Sequence, residues 1–163
     1  FRPNKDASYL VRKQNQKKLA EYLRNKPFGE GLGLGGVESR RFGNRLTTNI
    51  PNDSTYVKIW TETGVVGILL YLLIYAGSLL WGCYCIMFKI RNDELRHLLT
   101  ALACGIFGMI LSAYGNAFFT QFPTGIMMIM FLGILMNGKY IDERLTIEKQ
   151  QALLTTTKKD STL

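Results

Sequence analysis

Four side chains near the middle of the first half of the chain could do chemistry together. Arg40, Arg41 and Arg45 precede Asp53 by thirteen to eight residues, in a polar stretch that leads into a long apolar one. A guanidinium grips a phosphate through two parallel N–H bonds, and a carboxylate accepts a proton or orients a hydroxyl. A phosphorylated lipid gathered at a membrane boundary suits that combination. Asp53 also fits a plainer part: a helix is expected to restart at Asp53 or Ser54, and Asp is a good N-cap. Both roles stay open on the sequence alone.

Other reactive patterns are weaker. Gly31-Leu32-Gly33-Leu34-Gly35-Gly36 matches G-x-G-x-x-G, but that fingerprint works between a strand and a helix. Here a helical pattern precedes it, an Arg-rich loop follows, and no P-loop Lys-Ser/Thr is present. Gly29, Gly31, Gly33, Gly35 and Gly36 instead predict a backbone that turns tightly or approaches another group closely. Gly31, Gly33 and the aromatic Tyr56 are accordingly the further substrate-binding candidates. The single histidine, His97, sits beside Arg96 in a charged connection and reads as solvated, which leaves no Ser/His/Asp or Cys/His constellation. Cys83, Cys85 and Cys104 lie in uncharged runs and read as packing residues, so neither a disulfide framework nor a metal site is expected. No cofactor and no nucleic-acid partner are expected.

The elements that must position these groups follow from the distribution of charge. The chain has 163 residues, 47% hydrophobic and 20% charged, with a formal net charge of +8. That excludes a disordered tail, a collagenous repeat and a highly charged linker. The mean hydropathy of +0.05 conceals two uncharged runs, Thr63 to Phe88 of 26 residues and Leu98 to Gly138 of 41. About 20 apolar residues cross a bilayer core, so this is a membrane protein. A straight helix through the second run would measure about 60 Å, twice the core, and a hairpin is required. Its turn is expected at 116 to 123.

The expected fold is therefore all-α, with an amphipathic helix and loop followed by three transmembrane helices. Residues 5 to 26 carry apolar side chains at helical intervals together with Arg12, Lys13, Lys17, Lys18, Arg24 and Lys26. Such a helix either lies on an anionic membrane surface or packs on neighbouring protein. The expected segments are 1–60, the extracytoplasmic helix and Gly/Arg-rich loop; 61–88, a transmembrane helix; 89–97, a cytoplasmic connection; 98–140, a transmembrane hairpin; and 141–163, a cytoplasmic polar tail. Lys89, Arg91 and Arg96 against an uncharged hairpin turn orient the spans by the positive-inside rule. The start at Phe1, without a signal-peptide pattern, suggests a piece of a longer membrane protein.

The order of an amphipathic helix, N-K-P-F-G-E-G-L-G, an Arg-rich loop and D-S-T-Y-V-K-I-W-T-E-T-G-V-V-G-I-L-L resembles the C-terminal part of the O-antigen ligase and polymerase-like membrane proteins. The resemblance covers roughly residues 5 to 75. It implies a multi-pass inner-membrane glycosyltransferase. Such enzymes pass a glycan from a polyprenyl-diphosphate donor to a lipid or glycan hydroxyl on the extracytoplasmic side, without a metal. The alternatives are an O-antigen or exopolysaccharide polymerase of the same superfamily and a noncatalytic transporter or lipid-binding subunit. Many ligases have His-Asn-x-Tyr-Leu where this chain has Asp53-Ser54-Thr55-Tyr56-Val57, so the proposed catalytic histidine falls on Asp53. An aspartate has a reference pKa near 3.9 against 6.5 for histidine, and needs desolvation or a neighbour to act as a base at neutral pH.

Overall fold

The computed structural model describes residues 7–51 and 54–160. Among them there are helices and turns and no strand. The helices are α1 (Ala7–Leu23), α2 (Thr55–Phe88), α3 (Asp93–Ser112), α4 (Thr124–Met136) and α5 (Gly138–Asp160), with short 3-10 turns at Val37–Phe42, Leu46–Asn49 and Phe118–Thr120. Two helices, α2 and α3, are each long and apolar enough to cross a membrane. The pair α4 and α5, bent by 58° at their junction, makes a third candidate span. Only 6% of the apolar window of α2 is buried, and Leu69, Leu70, Leu73, Ile74 and Leu80 face outward. Surfaces of that kind belong in lipid or against further apolar helices.

Three expected boundaries move. The connection expected at 89–97 is only Lys89–Asn92, because α3 already starts at Asp93. Asp93 and Glu94 in its first turn oppose the positive end of the helix dipole, which favours helix over loop there. The expected polar tail at 141–163 is helical through Asp160, since a solvated Lys/Glu/Gln-rich segment retains high helix propensity. Within the expected 98–140 hairpin the turn is wider, with α3 ending at Ser112 and α4 starting at Thr124.

The chain divides into two compact units, Phe1–Ile74 with Ile110–Gly125 and Tyr75–Met109 with Ile126–Leu163. In the second, Gly82 and Gly138 allow close helix approach: a Cβ on Gly82 would sit 2.4 Å from Leu135, and one on Gly138 would sit 2.7 Å from Leu99. Cys85, Leu99, Ile106, Met128 and Leu135 fill the space between. Asp142, 4% exposed, accepts the Arg91 and Asn92 amides at 3.0 Å each and so ties the short connection to α5. In the first unit, Leu19 and Leu23 bury one face of α1. The start of α2 meets the end of α3, where helical carbonyls lack partners. The Thr55 amide and hydroxyl donate to Ala113 and Asn116 carbonyls, the Ser54 hydroxyl to Ala113, and the Tyr56 hydroxyl to Ile110 at 2.6 Å.

Candidate functional site

The glycine-rich stretch and the first turns of α2 form one structure. Inside α2, Gly64 leaves the helical conformation with φ 70°, so the turn before it loses carbonyl partners and the turn after it loses amide partners. The loop 27–31 supplies them. Glu30 N donates to Thr61 O at 3.0 Å, Gly31 N to Glu62 O at 2.9 Å, and Val66 N to Pro27 O at 3.4 Å. Backbone approaches so closely that a Cβ on Gly64 would lie 2.0 Å from the Pro27 oxygen, and one on Gly29 would lie 2.6 Å from Gly64 N. Only glycine fits either position, by space and by positive φ. Thr61 and Thr63 hydroxyls bond back to Val57 and Ile59 carbonyls at 2.7 Å, which further loads the turn that ends at the break.

Glu30 anchors the loop from the other side. Its side chain is 5% exposed, is ion-paired with Lys26, and accepts from Arg45 Nη1 at 3.3 Å. Burial pushes the Glu30 carboxyl up, but hydrogen bonds from Lys26 and Tyr22 and the charges of Lys26 and Arg45 outweigh it and hold the group below 4.5. The same bond to Glu30, then the Tyr22 hydroxyl 3.0 Å away, raises the Lys26 pKa. Ser39 closes the glycine run by donating to Gly36 O at 2.7 Å.

The nominated residues divide between that scaffold and the solvent. Arg45 is committed to Glu30, Tyr56 to Ile110, and the Gly31 amide to Glu62. Arg40 and Arg41 are exposed on the Val37–Phe42 turn, with Arg40 Nε donating to Thr48 O at 3.2 Å. Gly33, at φ 75°, has open space where a Cβ would project. Asp53 lies outside the described residues. His97 stands exposed on α3 rather than in a loop. Among the described residues no three His, Cys, Asp or Glu side chains are grouped to hold a metal ion.

Two features were not legible as site elements. Glu62 Oε1 is buried without a hydrogen-bond partner, at the point where charge gives way to the apolar run. An unsatisfied buried oxygen is a place where a donor from elsewhere gains the most. Gly35, Gly36, Lys58, Thr120, Gln121 and Pro51 line a cleft of about 170 Å³ of mixed polar and apolar character.

Among the described residues the structure is all-helical, with two or three helices long and apolar enough to cross a membrane and the loop 27–31 docked onto a broken helix. No protein-family model, curated protein or solved structure matches the chain.

Proposed function

We propose that the chain is part of an inner-membrane glycosyltransferase of the O-antigen ligase type, with residues 1–60 on the extracytoplasmic side. The observation that carries this reading is the docking of Pro27–Gly31 onto Thr61–Val66. It brings the two separate stretches of the family resemblance into one backbone-bonded constellation at the edge of an apolar span. In the reaction, Asp53 accepts the proton of an acceptor hydroxyl, whose oxygen attacks the anomeric carbon of the donor glycan. The bond from that carbon to the polyprenyl diphosphate breaks, and the diphosphate leaves with the electron pair. Arg40 and Arg41 hold its growing charge through guanidinium forks, and Arg45 positions the loop through Glu30. Chemistry of this kind needs no metal, as the resemblance implies.

The test uses the full-length protein in proteoliposomes with a polyprenyl-diphosphate-linked glycan and an acceptor. Arg40→Lys and Arg41→Lys keep the charge but lose the planar fork, and transfer is expected to fall about tenfold or more in at least one of them. Wild-type transfer by both would leave the loop as a solvated surface and remove the diphosphate site from it.

A further inference from the structure

The first unit contains a second constellation that the transferase reading does not use. A cavity of about 260 Å³ opens between α1 and the chain leading into α2, with Arg12, Lys13, Gln16, Ser54 and Tyr114 among its walls. Beside it runs a groove of about 450 Å³ that is lined by Lys17, Trp60 and Ile68. The two share Lys13, Gln16, Val57 and Tyr114, so they are adjoining parts of one depression. Its upper part carries Arg12 and Lys13 among mixed polar and apolar walls, and no acidic side chain lines either part among the described residues. Its lower part is apolar and reaches Ile68, inside the uncharged run that begins at Thr63.

We infer that this depression binds one anionic glycerophospholipid of the surrounding leaflet. Three basic residues, Arg12, Lys13 and Lys17, match a phosphate headgroup in charge, and lysines present mobile point charges suited to it. Trp60 and Tyr114 have the amphipathic rings that favour the headgroup level. The groove along α2 then takes an acyl chain, so the ligand is an amphiphile and not a free anion. Among the described residues neither Lys13 nor Lys17 forms an ion pair. A bound lipid would seat α1 against the start of α2 at the level of the membrane surface. Arg40 and Arg41, the cations of the transferase reading, line neither part, whereas Tyr56 lines the groove.

Native mass spectrometry of the full-length protein in detergent tests this with dioleoyl phosphatidylglycerol and dioleoyl phosphatidylcholine as probes. Wild type should bind phosphatidylglycerol at least about tenfold tighter than phosphatidylcholine, and the double variant Lys13→Gln/Lys17→Gln should lose roughly 10- to 30-fold of that affinity. Lys13→Arg/Lys17→Arg should retain it. Lys18→Gln, on the same helix but outside both walls, should match wild type. Equal binding of the two lipids, or an equal loss in Lys18→Gln, would overturn the proposal in favour of diffuse attraction. Displacement of phosphatidylglycerol by inorganic phosphate would make this an anion site, and displacement by a short polyprenyl diphosphate would make it the donor site; either result overturns it.

Discussion

Gly64→Ala is the substitution with the most to say about how the loop is held. At φ 70° an alanine there costs about 1–2 kcal/mol of backbone strain. Its Cβ would also meet the Pro27 oxygen at 2.0 Å, a backbone atom that cannot rotate away. Either the loop lifts off, or α2 straightens and reclaims the Thr61 and Glu62 carbonyls for its own amides. Both routes break the bonds at Glu30 N, Gly31 N and Val66 N, each worth about 0.5–1.5 kcal/mol. For the lifted loop the total is about 3–6 kcal/mol, whereas a straightened α2 sheds the strain and re-pairs its carbonyls but still leaves the Glu30 and Gly31 amides without acceptors. Hydrogen–deuterium exchange of the segment 27–34 in detergent reads it directly. About 3 kcal/mol corresponds to roughly 100-fold faster exchange at Glu30 and Gly31. Gly33→Ala is the matched control: φ is 75°, but a Cβ there meets nothing within 4 Å, so those amides should keep their protection. Native protection of Glu30 and Gly31 in Gly64→Ala would refute the docking described above.

Other expectations follow from named contacts. Glu30→Gln should cost about 1 kcal/mol at neutral pH, since both its cations are partly exposed and screened. Because the folded Glu30 pKa lies below 4.5, its contribution is complete above the unfolded value and is lost as pH falls through the lowered folded one. The wild-type melting temperature should thus fall more steeply than that of Glu30→Gln between about pH 5 and 3, and parallel curves would contradict it. Asp142→Ala leaves the part-buried amides of Arg91 and Asn92 without their acceptor, and should destabilise by about 1–3 kcal/mol in denaturant titration. The proposed orientation predicts that cysteines at Ser39 and Thr120 react with an impermeant reagent in intact cells while one at Asn92 does not. The reverse pattern would invert the topology.

Much of the frame is legible in composition. Uncharged runs mark α2 and α3 because hydrocarbon tolerates no unpaired charge, and Pro27 with its glycines marks the loop for local conformational reasons. What escapes is set by partners distant in sequence. E-T-G-V-V-G reads as unbroken helix, since one glycine inside an apolar run is ordinarily tolerated. The break at Gly64 exists because Pro27–Gly31 satisfies the groups it frees. Arg45 looked equivalent to Arg40 and Arg41, yet Glu30, fifteen residues earlier, claims it. Tyr56 looked like a residue of the membrane interface or a ligand contact, yet its hydroxyl is held by Ile110. The helical tail was missed for a different reason: polarity excludes burial but does not exclude helix.

The central claim is the transfer reaction with Asp53 at its centre, and the Asp53→Asn variant tests it most directly. Asn caps a helix about as well as Asp but has no carboxylate to take a proton. Purified full-length wild type and variant, at equal amounts in proteoliposomes, are given a polyprenyl-diphosphate-linked glycan and an acceptor, and the transferred glycan is measured by mass spectrometry. The account predicts transfer by wild type and a loss of about 100-fold or more in Asp53→Asn at unchanged thermal stability. Equal transfer by the two proteins would reduce Asp53 to a helix cap, and no transfer by wild type would contradict the glycosyltransferase assignment itself.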